Sequence, residues 1–410
     1  MSILPGADEG ASKLEVAALI SLLGFVATLQ ISIAASQILL SVTLGLWVAL
    51  LVVERERPGA PPFFRALAAY AAMTMVSVAF SLDRGISLVD SKEVLLFLIV
   101  PVVYRLARGQ RAHTVATIIV SVGAASAVFG VVQYGILEYD DLGQRVRGTM
   151  GHYMTYSGQL VIVIALAGGR LLFDKRERLW SALVMPALFV ALALTYTRSA
   201  WVGGGAAVGV LCVLKGPRLI ADLRLMAVLP VLAALVFTFA PPQVKDRLYS
   251  IVDLQNPTNR DRFAMARAGL RMVKDHPLTG VGPDMVQELY PEYRDAGAVQ
   301  ENQPHLHNVP VHIAAERGLL GLLTWLAFLG LAVRDLIRRL QTPGVAAFAA
   351  AGLAGVAGML TAGMFEYNFG DSEFLMLFLV LITLPFAAAQ GGGEPLAPAS
   401  TNAPVDPAAI

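Results

Sequence analysis

The chain has 410 residues, of which 56% are hydrophobic and only 15% are charged, and its formal net charge is +1. A soluble domain carries roughly 25% charged residues, so this composition excludes an ordinary soluble protein. The apolar residues form blocks near the ~20 residues with which a helix crosses a bilayer, whereas the strands of a membrane barrel alternate apolar and polar residues. We therefore predict an all-α, polytopic transmembrane protein.

The apolar blocks predict about twelve spans. The first block contains a single charged residue, Glu15, and is long enough for a hairpin of two spans. The predicted spans are residues 14–53 (the hairpin), 63–80, 93–107, 114–136, 154–172, 179–196, 200–214, 225–240, 308–333, 344–365 and 373–389. Helices 1–9 are then predicted in residues 1–240, and a large, partly helical loop follows in residues 241–306. Helices 10–12 are predicted in residues 307–390. A tail rich in Pro, Gly and Ala, residues 391–410, is predicted to be disordered.

Basic residues are distributed unevenly between the loops. One set of loops carries seventeen Lys and Arg residues, and the short loops on the opposite side carry five. The positive-inside rule places the richer set in the cytoplasm. An even number of spans then places both termini there, and the 241–306 loop is external. We also expect no cleavable signal peptide, because the segment before the first apolar block is acidic.

The usual motifs for metal and nucleotide chemistry do not occur in the sequence. There is no Asp-x-Asp, His-Glu-x-x-His or Cys-x-x-Cys spacing, no P-loop and no dinucleotide-binding glycine pattern. The single cysteine, Cys212, cannot form an intrachain disulfide. We therefore expect no metal ion, no cofactor and no ATP-driven step in this chain. We expect membrane lipids, and not nucleic acid, around it.

Arg198 lies in the sequence TYTRSAW, in a turn between two predicted spans. A charge so close to the hydrocarbon is costly unless it reaches the interface or binds something. One interpretation is an interfacial anchor together with Trp201. The other is a guanidinium held at headgroup level to bind a phosphate, for which the arginine fork is well suited.

The large loop contains a predicted amphipathic helix over residues 261–275, with Arg262 in its first turn. A helix N-terminus is electropositive and favours anions, so Arg262 is a candidate anion ligand, although a solvated helix face is the alternative. Arg145 and Arg147 lie in another external loop, DDLGQRVRG. They predict binding of a diphosphate or an acidic sugar, or simple neutralisation by the preceding aspartates.

Three histidines fall within the sequence HLHNVPVHIAAERGLLG, where the large loop enters a span. An imidazole at this boundary is a candidate general base, because its unperturbed pKa of about 6.5 allows it to take and give protons near neutral pH. His307 is that candidate, His305 and Asn308 are candidate substrate ligands, and His312 is expected to be a buried core residue. Glu366 either orients a substrate hydroxyl or a histidine, or is a plain charge at a helix end, which we favour.

Three motifs together resemble the O-antigen ligase and polymerase superfamily of bacterial inner-membrane proteins. His307, Asn308, Gly318 and Gly321 match one family pattern. In this pattern a His is followed by Asn, Ser or Gln, then by nine residues, a Gly, two further residues, and a small or polar residue. The pattern of Arg, a short helix and His-Pro-Leu-x-Gly-x-Gly-Pro is similar to Arg262 and residues 276–283. The TRSAW turn also resembles the family, and this chain has Ala266 where the family usually has Trp.

The resemblance implies a GT-C-like, metal-independent, inverting glycosyltransferase. Its donor would be an O-antigen glycan on undecaprenyl diphosphate, and its acceptor a hydroxyl of lipid A–core. His307 would be the base, and Arg198 and Arg262 would stabilise the leaving diphosphate. Arg145, Arg147, His305, Asn308 and Glu366 would bind substrate. The alternatives are an O-antigen polymerase or a protein-acceptor oligosaccharyltransferase of the same superfamily, and a secondary transporter, which would place charges in the middle of its spans.

Overall fold

The computed structural model describes residues 12–217, 242–253, 255–295 and 297–391, and these residues are nearly all helical. Within these ranges there is no strand, and the only extended pairing is an isolated bridge between Asp140 and Arg145. The all-α prediction is confirmed, and the chain is a helical membrane protein. The predicted span 225–240 and the predicted tail after Gly391 lie outside the described residues.

Fifteen α-helices are described. In chain order they are α1 (Lys13–Thr28), α2 (Ile33–Val53), α3 (Phe64–Ala79), α4 (Arg84–Asp90), α5 (Ile99–Leu106), α6 (Gln110–Gly135), α7 (Tyr153–Phe173), α8 (Arg178–Leu194), α9 (Arg198–Lys215), α10 (Pro242–Tyr249), α11 (Pro257–Asp275), α12 (Met285–Tyr293), α13 (Val309–Arg339), α14 (Ala346–Gly363) and α15 (Ser372–Ala388). Short 3₁₀ helices occupy Ser91–Leu98, Asn368–Gly370 and Ala389–Gly391.

Five described helices, α2, α6, α7, α13 and α14, are long and apolar enough to cross a membrane, and α3, α8 and α15 are shorter apolar helices. Twelve spans and a GT-C-like arrangement therefore remain predictions. The predicted hairpin over residues 14–53 is present as α1 and α2, which pack against each other. Ser12 and Ser32 cap the two helices by accepting hydrogen bonds from backbone N–H groups of the first turns.

Two predicted spans are not the continuous α-helices that hydropathy alone indicates. Residues 93–107 are divided between a 3₁₀ helix and the eight-residue α5. Residues 308–333 lie in α13, which is interrupted at Gly318, where φ is 68° and ψ is −179°. Apolar composition indicates which segments lie in the membrane, but it does not indicate where the backbone hydrogen bonds of a helix are interrupted.

The Ala- and Gly-rich α14 lies at the centre of the helical bundle. It packs against α7, α9, α13 and α15, and most of its side chains are buried. Small residues allow helix backbones to approach closely within a membrane. The large loop has a small core of its own, in which Met265, Met272 and Tyr290 of α11 and α12 pack with Leu306. This core rests on the first part of α13.

The loops gather into two groups, as the charge pattern predicts. In one group Arg105 pairs with Glu56 at 2.6 Å, and Arg111 pairs with Glu15 at 2.6 Å. The other group contains the large loop, the TRSAW turn and the loop with Arg145 and Arg147, since Arg198 contacts Ser250 and Tyr196 contacts Asp140. Leu82 N–H donates to the carbonyl of Val281 at 3.2 Å, and the remaining contacts of this group form the site below. Which group faces the cytoplasm remains a prediction from the positive-inside rule.

Candidate active site

Backbone hydrogen bonds fasten residues 276–283 of the large loop to the kink of α13. Leu319 N–H donates to the carbonyl of Pro277 at 2.8 Å, and Gly282 N–H donates to the carbonyl of Glu316 at 2.9 Å. These bonds use backbone groups that the kink releases from the helix ladder. Two of the three sequence motifs are therefore joined directly through their backbones.

Two motif glycines make this contact possible. A Cβ atom at Gly318, where φ is +68°, would lie 2.1 Å from the carbonyl oxygen of Leu278. A Cβ atom at Gly280, where φ is +72°, would lie 2.4 Å from the carbonyl oxygen of Glu316. Only glycine adopts these dihedral angles without cost and leaves room for the opposite backbone. The glycines in the turn after α11 and at the kink of α13 therefore allow the two backbones to pack closely.

His307 and Glu366 form a close pair at the entrance of α13. The Nδ1 atom of His307 lies 2.8 Å from Oε1 of Glu366, and the side chains are 18% and 13% exposed. The backbone of His307 is left-handed, with φ of +48°, which is uncommon for a residue other than glycine. His305 adjoins the pair, with its Nε2 atom 3.6 Å from the same carboxylate oxygen.

The carboxyl of Glu366 is held in its charged form. Burial alone would raise its pKa, but hydrogen bonds from His305 and His307, and their positive charges when protonated, lower the pKa below its ordinary value. Our preference for a plain helix-end charge at Glu366 was wrong, because the carboxylate contacts two imidazoles. Its Oε2 atom is buried and has no hydrogen-bond partner among the described residues.

Asn308 holds the segment that carries Glu366 close to His307. Its Oδ1 atom accepts a hydrogen bond from the Val311 N–H at 3.0 Å and so caps α13. Its Nδ2 atom donates to the carbonyl of Met364 at 3.1 Å. The side chain therefore ties the start of α13 to the segment that carries Glu366. As expected, His312 is a core residue, 2% exposed, with Nε2 at 3.2 Å from Oε1 of Glu316.

Arg198, the first residue of α9, is buried and fastened to the large loop. Its Nη1 atom donates to the carbonyl oxygen of Ser250 at 2.6 Å, and its Nη2 atom donates to Oδ1 of Asn259 at 3.0 Å. Burial, together with the positive charges of Arg262 and Arg247, lowers the pKa of Arg198 to about 10. Among the described residues, no carboxylate pairs with Arg198, and other guanidiniums lie near it, so this side chain is suited to bind an anion.

Arg262 lies near Arg198, but it is not in the first turn of its helix as we predicted. The helix begins at Pro257, with Asn256 as its cap, so Arg262 lies in the second turn and not the first. The argument from the helix N-terminus therefore fails. The guanidinium has no hydrogen-bond or ion-pair partner in the part of the chain that the structure describes. Burial, partly offset by the negative charge of Glu366, lowers its pKa.

A cavity of about 460 Å³ joins these side chains. Arg198, Arg262, His307 and Asn308 line it, although they come from three separate parts of the sequence. Its other lining residues are Ser199, Val202, Ile251, Asn259, Phe263, Ala266, Met364 and Phe365. The cavity therefore combines two cations and an imidazole with an apolar wall, and Ala266 leaves space where a larger side chain would protrude.

The two arginines of the 137–152 loop differ from each other. The guanidinium carbon of Arg145 lies 4.3 Å from the centre of the Tyr153 ring, and its charge is close enough to lower the pKa of Arg198 and Arg247. Arg147 is exposed and donates to the carbonyl of Gly151 at 3.3 Å. Among the described residues, neither arginine forms an ion pair with the preceding aspartates.

Sequence reasoning missed three residues that shape the site. Ser250 and Asn259 hold Arg198, and Arg247 contributes a further charge with a buried Nε atom that has no described partner. They lie in polar segments without a motif, so no signal distinguished them from ordinary loop residues.

His305, His307 and Glu366 form a cluster of side chains that could hold a metal ion. Within the described part of the chain, their donor atoms all lie within 4.8 Å of one another.

Comparison with known proteins identifies a family for part of the chain. Residues 182–326 match the family model described as O-antigen ligase, which confirms the resemblance to this superfamily. The match contains Arg198, Arg262 and His307, whereas Arg145, Arg147 and Glu366 lie outside it. No curated protein matches the chain.

Proposed function

From the O-antigen ligase family match, we propose that this protein transfers an O-antigen polysaccharide from undecaprenyl diphosphate to lipid A–core oligosaccharide. The reaction takes place at the periplasmic face of the bacterial inner membrane. The observation that carries the proposal is the cavity, because it brings His307, Arg198 and Arg262 together. Glycosyl transfer from a lipid diphosphate needs a base for the acceptor and cations for the leaving group.

The proposed step begins at the acceptor hydroxyl. Glu366 accepts the Nδ1 proton of His307, so Nε2 of His307 takes the proton of the hydroxyl. The acceptor oxygen then forms a bond to the anomeric carbon of the donor sugar from the face opposite the diphosphate. The bond from that carbon to the diphosphate oxygen breaks, and the configuration inverts. The proton is on His307, and the bonding electrons leave with the diphosphate.

The leaving diphosphate gains negative charge as this bond breaks. Arg198 and Arg262 stabilise it, since fixed cations at a developing anion lower the barrier without rearrangement of solvent. Asn259 and Ser250 hold Arg198 in place, while Arg262 is free to turn to the phosphates. Arg145 adds charge at the edge of the same group. The reaction is metal-independent, because the arginines supply the charge.

Product analysis tests this function. Purified protein in vesicles receives undecaprenyl-diphosphate glycan with or without lipid A–core, in the presence of EDTA. We expect glycosylated lipid A–core and release of undecaprenyl diphosphate only when the acceptor is present. A longer glycan on the lipid carrier would instead identify a polymerase. Intact donor under every condition would contradict transferase chemistry and favour transport.

A further inference from the structure

The cluster of His305, His307 and Glu366 has the composition of a metal site. Oε1 of Glu366 lies 2.8 Å from Nδ1 of His307 and 3.6 Å from Nε2 of His305. The two imidazole rings stand edge to face, with centroids 4.4 Å apart. Ligand atoms around a tetrahedral zinc ion, at about 2.0–2.1 Å from the metal, lie at comparable separations from one another.

We propose that His305, His307 and Glu366 bind a divalent zinc ion, which inhibits the protein by occupying Nδ1 of His307. The ring proton of His307 then lies on Nε2, and this nitrogen can no longer take a proton from the acceptor hydroxyl. Two imidazoles favour zinc over magnesium or calcium, which prefer oxygen ligands. The ion lies between Nδ1 of His307, Nε2 of His305 and the carboxylate of Glu366. Three protein ligands leave one position of a tetrahedral ion for water from the adjoining cavity.

The surroundings set the strength of this site. The unpartnered Oε2 atom of Glu366 is buried beside the cluster and is available to a bound ion as a second carboxylate oxygen. Arg262 interacts electrostatically with Glu366, and its positive charge disfavours the binding of a cation at the cluster. Zinc therefore binds more weakly than at a four-ligand structural site and is removed by EDTA. Binding itself is independent of the proposed transferase function, whereas inhibition depends on it.

Binding is measured with the full chain in detergent, freed of affinity tag and stripped with EDTA. Titration calorimetry with zinc chloride should show one ion per chain. We expect His305→Ala and Glu366→Gln each to weaken zinc binding at least about tenfold, as loss of metal-site residues does. His276→Ala, which removes a histidine outside the cluster, should bind zinc like the wild type. Equal affinity in all variants, or no binding to the wild type, would overturn the site.

Zinc X-ray absorption of the wild-type protein gives a test that does not depend on variants. We expect a first shell of nitrogen and oxygen with the scattering signature of two imidazoles, and a shell with none would overturn the proposal. In the transfer assay, zinc should stop turnover and EDTA should restore it, and full turnover with zinc bound would contradict inhibition. A protein that binds zinc but never transfers glycan would reject the proposed function and leave the site intact.

Discussion

At the scale of single residues, the proposed chemistry depends most on the contact between His307 and Glu366. A buried carboxylate that accepts the Nδ1 proton fixes both the orientation and the tautomer of the imidazole. The lowered pKa of Glu366 keeps this carboxylate charged at neutral pH. In the proposed mechanism, the other ring nitrogen, Nε2, accepts the proton of the acceptor hydroxyl.

Glu366→Gln tests this orientation, because the amide has nearly the same shape but lacks the charge. We expect the turnover number to fall by about 10²- to 10⁴-fold, the range of a general-base contribution, with little change in KM. Steady-state transfer kinetics measure both constants. Glu301→Gln is the matched control, since Glu301 is an exposed residue of the same external region. An unchanged turnover number for Glu366→Gln would separate Glu366 from catalysis.

Arg262 and Arg267 provide a matched pair on one helix. Arg262 lines the cavity, whereas Arg267 is exposed and pairs with Asp295 at 2.5 Å. Removing a cation that stabilises the leaving group costs about 10²- to 10³-fold in turnover. We therefore expect that loss for Arg262→Ala and wild-type kinetics for Arg267→Ala. Similar kinetics for the two variants would remove Arg262 from the site.

Motifs and local chemistry identify some of these residues but not their partners. His307 and Arg198 belong to recognisable patterns, and the structure places both on one cavity. Glu366 lies 59 residues after His307 in the sequence, and Asn259 lies 61 residues after Arg198. Contacts of such separation depend on helix packing, which hydropathy and spacing do not report. For that reason the sequence favoured the wrong role for Glu366.

At the scale of elements, the kink of α13 positions the site. The break at Gly318 releases backbone groups that bind residues 276–283, and this contact sets α11 and its Arg262 beside the start of α13. The sequence predicts a helix over residues 261–275, and the structure extends it to Pro257. Asn256 followed by Pro257 is an ordinary helix start that could have been read from the sequence. The kink at Gly318 could not be predicted from the sequence, because the apolar residues continue on both sides of it.

Substitution of the kink glycine tests its role. In Gly318→Ala the added Cβ would meet the Leu278 carbonyl in a backbone conformation suited only to glycine, which costs at least about 1–3 kcal/mol. We expect a lower Tm in detergent and loss of transfer. Gly330→Ala in the same helix has open space around the added atom, so it should be as stable as the wild type. Equal Tm values for both variants would contradict the packing role of Gly318.

At the scale of the whole molecule, charge and hydropathy predict the separation of the loops into two groups. Residues of the TRSAW turn, the large loop and the segment before Glu366 line one cavity. In the other group of loops, Arg105 and Arg111 pair with Glu15. Composition suffices for this because membrane placement depends on summed transfer free energies of whole segments. The number of spans is less accessible, since several apolar helices are shorter than a full crossing.

Cysteine labelling tests the orientation. Cys212 is the single cysteine, so Cys212→Ser provides a background for single introduced cysteines at exposed positions. We expect a membrane-impermeant maleimide to label Glu301→Cys in intact spheroplasts, because the positive-inside rule predicts that the large loop is periplasmic. Arg176→Cys, in the opposite group of loops, should be labelled only after lysis. The reverse pattern would invert the topology and place the cavity in the cytoplasm.

The most direct test of the central claim is the rate at which His307→Ala transfers glycan to lipid A–core in EDTA, relative to wild type and Glu301→Gln. If the cavity is the site of transfer and His307 its base, His307→Ala will lose about 10²- to 10⁴-fold in turnover while its Tm stays close to that of the wild type. Glu301→Gln, which changes an exposed side chain outside the cavity, will keep the wild-type rate. Transfer by a folded His307→Ala protein at the wild-type rate would contradict the claim and move the chemistry away from this cavity.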